Sequence, residues 1–244
     1  MRPDLAPEHV RPLAQDETFR FSCHPGVTCF TDCCRQLDLA LTPYDVLRLS
    51  KHLGLPASTF LEQYALIEHE KGSGFPRIFL GMVDDGQASC PFVTATGCSV
   101  YADRPAACRT YPLGRGAFTT EDGEHHEMHV LLSEPHCKGF NEGEPQDITA
   151  WQKDQDLATY NGMNDELLSI LHHPRLKDGH QPEAREIDVF LALYTLDTFR
   201  NLLLDGNIAL PFSITENELQ EIAIQDLALL RLGIRWLDHV LSGH

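Results

Sequence analysis

The stretch "CHPGVTCFTDCC", Cys23–Cys34, places four cysteines in twelve residues and ends on an adjacent pair, and it is followed by "LTPYDVLRLSKHLG", residues 41–54. A bridge between Cys33 and Cys34 would strain the peptide that joins them, so these thiols need other partners. The second stretch carries a full set of helix signals. Thr42 suits the N-cap, Pro43 the first helical position, Asp45 the positive end and Gly54 the stop. Leu47, with Val46, Leu49 and Leu53, is expected on its buried stripe. Thiols beside a well-signalled helix predict an α+β fold rather than a small disulfide scaffold.

Composition agrees. The chain has 244 residues, 42% hydrophobic and 23% charged, which suffices for a sizeable core without staples. The N-terminal segment lacks the features of a signal peptide, and no apolar run approaches a membrane span, so the sequence reads as cytoplasmic and without membrane contact. The net charge is −17, from 36 acids against 19 Lys and Arg. Basic residues nowhere gather into a stripe, which argues against nucleic acid as a partner.

Working outward, a second helix is expected over residues 56–67, with Phe60, Leu61 and Tyr64 on its apolar face. "RIFLGMVDDGQASCPFV" reads as a hairpin turning at Asp85-Gly86, with Ile78, Leu80 and Met82 alternating and Cys90 at a strand end. Loops with a helical turn are expected around Cys98 and Cys108, and a second hairpin over "AFTTEDGEHHEMHVLL" before Cys137. From about Thr149 the chain reads as helical. Ile187, Phe190, Leu191, Tyr194, Phe199, Leu202 and Leu203 form one stripe closed by Gly206. Thr215 and Glu218 form a capping box for a last helix that carries Leu219, Ile222, Leu227, Leu230, Ile234, Leu237 and Leu241. The organisation expected is an N-terminal segment (1–20), a cysteine-cluster domain with two helices and short β-hairpins (21–140) and a helical C-terminal part (141–244), packed as one compact unit.

The eight cysteines are Cys23, Cys29, Cys33, Cys34, Cys90, Cys98, Cys108 and Cys137. In a reducing compartment such spacing favours metal ligation over disulfides. Thiolates are soft ligands for zinc, iron and iron–sulfur clusters, and eight would fill two four-thiolate sites. The spacing matches neither a zinc ribbon nor a ferredoxin run, so the metal stays open. Arg104 and Arg109, with Asp103 beside Cys108, either offset thiolate charge and donate to sulfur or form a surface Asp–Arg pair. His24 and His136 adjoin cysteines as alternative ligands. His125 and His129 share a strand face in an acidic hairpin, which would suit an exposed polar surface or a weaker divalent site.

These motifs carry a resemblance. The Cys23–Cys34 group with "LTPYDVLRLSKHLG", then "CPFVTATGCSVYADRPAACRTYPLGR" and "CKGF", is similar to the YkgJ-type cysteine-cluster family, described as a zinc- or iron-chelating domain. The likeness spans about Phe21–Phe140, and "WQKDQDLATYN" and "LYTLDTFR" are similar to longer members. The resemblance implies that all eight cysteines are metal ligands. The wider Cys23–Cys29 gap is where this chain departs from many members. Related flagellin lysine N-methylases share a cluster thought to hold iron and sulfur, which brings a [4Fe–4S] centre among the expectations. Methyl transfer does not follow, since no Gly-rich nucleotide turn, Gly-x-Ser-x-Gly elbow or His-Glu-x-x-His helix is present. The expectation is a metal-binding protein holding iron, as a [4Fe–4S] cluster or otherwise, or zinc. A metal-dependent redox or group-transfer enzyme and a metal-stabilised adaptor with protein partners are the alternatives.

Overall fold

A computed structural model describes residues 7–69, 72, 74–120 and 124–243, without the side chains of Pro7, Thr119 and His125. The fold is α+β, with helices interspersed among small antiparallel sheets. The chain divides into two compact units, Met1–Leu39 with Leu80–Asn161 and Ala40–Phe79 with Gly162–His244.

The first unit holds a three-stranded sheet in which the strand His125–Leu132 lies between Val10–Leu13 and Leu113–Thr119. Leu113 pairs with Leu131 and Leu13 with His129, so the hairpin expected near Ala117 starts four residues earlier. A Cβ at Gly116 would lie 3.0 Å from Met128 Cγ, a contact that the exposed, flexible Met128 side chain can relieve. The expected Asp122-Gly123 turn lies outside the described residues. Val10–Leu13 was not foreseen as a strand. Pro12 is tolerable because the strand is at a sheet edge.

Leu13, Phe19, Phe21, Leu113, Leu131, Ile148 and Trp151 form a buried core, against which Tyr111, Cys137 and Phe140 pack. Phe21 meets Tyr111, Phe140 and Trp151 edge-on at 5.7, 5.2 and 5.7 Å. Each such contact adds about 0.5–1.5 kcal/mol to area burial. The Trp151 indole donates to the Thr110 carbonyl at 3.0 Å. These aromatics stand two or three residues from Cys23, Cys108 and Cys137, so the core anchors three cysteine-bearing loops.

The hairpin expected at Asp85-Gly86 shrinks to one bridge, Val83 to Ser89. Asp85 Oδ1 accepts the amides of Gln87 and Ser89 at 2.9 and 3.3 Å, satisfying groups that a longer ladder would have paired. The strand Arg77–Leu80 pairs instead with Ala65–Glu68.

In the second unit the helix Pro43–Leu53 starts on the expected cap: Thr42 Oγ1 accepts the Asp45 amide and the Asp45 carboxylate accepts the Thr42 amide at 2.9 Å. Its fully buried residues are Val46 and Leu49, while Leu47 and Leu53 are half-buried, so the stripe is centred away from Leu47. The next helix, Ala57–Tyr64, stops short of Ile67 because the chain turns into the strand Ala65–Glu68.

The stripe read as one helix through Leu203 is two, Ala184–Ala192 and Leu196–Leu204, and Leu202 is exposed. The capping box at Thr215 and Glu218 is present, but the helix behind it ends at Ile224. A new one, Asp226–Leu241, follows the extended Gln225. The break sets Asp226 at a helix start, where Lys51 and Arg200 both donate to its carboxylate. Phe75 stacks on Phe190 at 4.5 Å and Phe199 on Trp236 at 5.5 Å. Gly233 permits close helix contact, since a Cβ there would lie 2.5 Å from Leu193 Cδ2.

Candidate metal centre

All eight cysteines lie in the first unit, and none is in a disulfide. Cys23 follows the anchored Phe21. Consecutive turns then wind the chain to Cys29: the Val27 amide donates to the His24 carbonyl and the Phe30 amide to the Val27 carbonyl, both at 2.9 Å. Cys33 and Cys34 sit in the 3-10 turn Asp32–Cys34, flanked by Thr31 (φ 70°) and Gln36 (φ 53°) in the left-handed region. A β-branched threonine there is strained. The Cys90 amide donates to the Cys34 carbonyl at 2.8 Å. Cys98 pairs with Val93 in the ribbon Val93–Thr94/Gly97–Cys98, which sets it beside the Cys90 turn. Cys108 is carried by the helix Ala106–Thr110. The loop of Cys137 reaches Cys29, whose sulfur accepts the Lys138 amide at 3.0 Å.

Electrostatics reports which sulfurs face one another. The Cys23 thiol is pushed up to about 11, by burial first and then by Cys33, Cys29 and Cys137. Burial also raises Cys90 and Cys98, and both feel Cys33. Cys137 is raised by burial, with Cys29 and Cys33 contributing. Cys33 itself is held far above the ordinary thiol range, first by its hydrogen bond to Cys34, then by burial and by Glu134. Cys33 thus lies within electrostatic reach of Cys23, Cys137, Cys90 and Cys98.

Backbone donors accompany these sulfurs. The amides of Phe92 and Val93 face Cys90, that of Val100 faces Cys98 and that of Gly139 faces Cys137, each favouring the thiolate. Among the described residues, no group of three or more His, Cys, Asp or Glu side chains closes into a ligand shell as it stands. The sulfurs face one another at electrostatic range rather than at bonding range. The chemistry of the donor set nevertheless fits a metal: several soft sulfurs lie within electrostatic reach of one another, and backbone amides face Cys90, Cys98 and Cys137.

Arg104 and Arg109 are buried rather than forming a surface pair. Arg109 donates to the carbonyls of Arg104 and Gln155 at 3.0 and 2.9 Å and to that of Ala102, and it lies 4.5 Å from the Tyr160 ring centre. Its bonds thus tie the Cys98–Cys108 loop together. Arg104 donates to the Tyr101 carbonyl and to Gln155, and its charge acts on Cys98 and Cys108. The histidines serve other partners. His24 Nδ1 accepts the Gly26 amide at 3.2 Å, and His136 lies 3.6 Å from Glu134. His129 is buried, 3.2 Å from Gln152 and 3.7 Å from Glu127, and burial lowers its pKa. The side chain of His125 lies outside the described set.

Tyr111 escaped the sequence reading. Its hydroxyl is buried beside the Cys137 sulfur. Burial, then Cys137, raises its pKa strongly. The signal available in the sequence was an aromatic three residues beyond Cys108.

A fold of small sheets and helices carrying clustered thiols defines a class, the cysteine-rich metal-binding domains. Residues 22–138 match the family CxxCxxCC, described as a "Putative zinc- or iron-chelating domain". The match covers the stretch whose motifs carry the resemblance, and the family is the one they resemble. The family name spells two-residue gaps, whereas this chain has five residues between Cys23 and Cys29 and three between Cys29 and Cys33, taken up by the turns described above. No curated protein and no solved structure matches the chain. No helix among the described residues is long and apolar enough to cross a membrane.

Proposed function

We propose that residues 21–140 form a metal-binding domain in which Cys23, Cys29, Cys33, Cys34, Cys90, Cys98, Cys108 and Cys137 hold iron, as a [4Fe–4S] cluster, or zinc. The observation that carries this is that Cys23, Cys137, Cys90 and Cys98 all lie within electrostatic reach of Cys33, with Cys34 hydrogen-bonded to it. One mononuclear site uses four ligands, so this surplus favours a centre with more than one metal atom. The chain's part is to supply thiolates, to aim the amides of Lys138, Phe92, Val93, Val100 and Gly139 at them, and to bring the charge of Arg104 near. An iron–sulfur group would supply electron transfer and a zinc group would supply folding energy, on the order of 10 kcal/mol for a structural site. A reducing, cytoplasmic setting goes with this reading, because thiols that ligate a metal must stay out of disulfides.

A second reading, a redox or group-transfer enzyme, draws on an open polar depression beside Cys90, lined by Thr31, Arg35, Gln87, Ser89 and Thr94. Anaerobic purification with elemental analysis and an absorption spectrum tests the main reading. Stoichiometric iron with visible charge-transfer absorption, or stoichiometric zinc without it, is expected. A chain carrying neither metal overturns the proposal.

A further inference from the structure

Arg35 follows directly on Cys34, and its side chain spans two cysteine-bearing segments. Its Nη1 donates to the Thr31 carbonyl at 2.9 Å and lies 3.7 Å from Asp32 Oδ1, while its Nε donates to Gln87 Oε1 at 3.0 Å. The Thr31 carbonyl also accepts the Cys34 amide at 3.0 Å, so one oxygen closes the turn of Cys33 and Cys34 through both backbone and side chain. On the other side Gln87 stands three residues before Cys90, and Asp85 Oδ1 fixes its amide at 2.9 Å. The two backbones join at the same place. Arg35 bridges Ser89, the Gln36 amide donates to the Ala88 carbonyl at 2.9 Å, and the Cys90 amide donates to the Cys34 carbonyl at 2.8 Å. This joint is strained: Thr31, Gln36 and Ala88, at φ 70°, 53° and 49°, are three of the four non-glycine residues at positive φ among the described residues. Such backbone persists only where several contacts over-determine it. The guanidinium, a rigid planar fork, is suited to serve the acceptors of both segments at once.

We infer that Arg35 is a positioning residue of the metal centre, its guanidinium latching the Cys33–Cys34 turn to the loop of Cys90 so that these three thiols are presented together before metal arrives. The inference rests on the metal-binding reading proposed above. The latch acts through order: ligands already held in place lose less conformational freedom on binding, so the metal is held more tightly. Thr31, Arg35, Gln87 and Ser89 also line the depression beside Cys90, so the same bonds set the shape of that wall.

The test compares wild type with Arg35→Ala, both full-length, purified anaerobically and loaded with zinc. Retention against EDTA should weaken roughly 10- to 100-fold in the variant. The rise in melting temperature on adding zinc should shrink as well, because a ligand stabilises according to its affinity for the folded chain. Arg35→Lys should recover little, since an ammonium lacks the fork that reaches both acceptors. Gln87→Ala cuts one end of the latch, so the double variant Arg35→Ala/Gln87→Ala should retain zinc no worse than Arg35→Ala alone. Gln87 is exposed, and its variant carries the same comparison should Arg35→Ala fail to fold. Wild-type retention in both single variants overturns the inference while leaving the metal-binding reading intact. Equal losses of stability in the metal-free and zinc-loaded forms would make Arg35 a scaffold residue only and overturn it too, as would additive losses in the double variant. A wild type that takes up no metal overturns both readings.

Discussion

Gly139 is where the last cysteine loop meets the first, and its replacement by alanine probes that junction. The new Cβ would lie 2.6 Å from Phe21 Cε2, 3.1 Å from Cδ2 and 2.9 Å from the Ser22 carbonyl oxygen. Neither neighbour can give way easily. The Phe21 ring is bounded by Tyr111, Phe140 and Trp151, and the Ser22 backbone is tied by its amide to the Gly139 carbonyl at 3.0 Å. The two chain segments must therefore part, at the upper end of the cost of overpacking, about 3 kcal/mol. For a chain of this size that lowers the melting temperature by about 6 to 12 °C. The loop that shifts carries Cys137 and the Lys138 amide bonded to Cys29, so metal retention should fall as well. Gly162→Ala is the control: this helical glycine has nothing within 4 Å of a new Cβ, so alanine should stabilise by about 0.5–1 kcal/mol. Calorimetry with metal analysis of both variants decides the matter. A G139A protein that melts within about 1 °C of wild type and keeps its metal would refute the packing of Phe21 against the Cys137 loop.

Cys33→Ser removes the sulfur that the others face and should strip most of the bound metal. Cys23→Ser, at the most exposed of the eight, should strip less, and elemental analysis showing the reverse order would sink the assignment of Cys33 as the hub. Arg109→Ala leaves the carbonyls of Ala102, Arg104 and Gln155 without their donor and should cost on the order of 3 kcal/mol in denaturant titrations. Arg109→Lys should recover little, because an ammonium lacks the guanidinium's fork. At Asp226 burial pushes the carboxyl up, but donors on Lys51 and Arg200 outweigh it and hold the pKa below the usual range. A depressed folded-state pKa adds stability above about pH 4 that is lost as the carboxylate protonates on acidification. Wild type should therefore exceed Asp226→Asn by about 1 kcal/mol near neutral pH, with the gap closing below about pH 4. A gap that widens in acid would contradict the pairing.

What was legible in the fold was what depends on local hydrogen bonds. The Thr42 and Thr215 caps are short-range devices that a few residues encode completely. The helix breaks at Thr195 and Gln225 have no glycine or proline to announce them. The second is visible only through its result, an Asp226 that accepts from Lys51 and Arg200, residues remote in sequence. Val10–Leu13 was hidden for a similar reason. Arg11 and Pro12 spoil the strand pattern, and pairing with Val130 and Leu131 overrides it. Leu66 and Ile67 mimicked the end of a helix, but pairing with Arg77–Leu80 draws them into a strand.

The cysteines stand out in the sequence as a set, because thiols at such tight spacing have few uses other than metal ligation where disulfides do not form. Their supports do not. Phe21, Tyr111 and Phe140 look like ordinary core aromatics, and only their meeting on one another reveals that they hold three cysteine loops in place. The amides that face sulfur leave no trace in residue identity. The adjacent pair gains its explanation from the backbone around it. Thr31 and Gln36 are both held in a conformation that side chains other than glycine rarely adopt, with the turn Asp32–Cys34 between them. Such strain persists where the surroundings over-determine it. Here the surroundings are the Cys90 amide on the Cys34 carbonyl and the hydrogen bond between Cys33 and Cys34. Two consecutive thiols serve better than two separated ones at this point: a single tight turn sets the Cys33 sulfur within electrostatic reach of several others while the Cys34 carbonyl fastens the segment that carries Cys90.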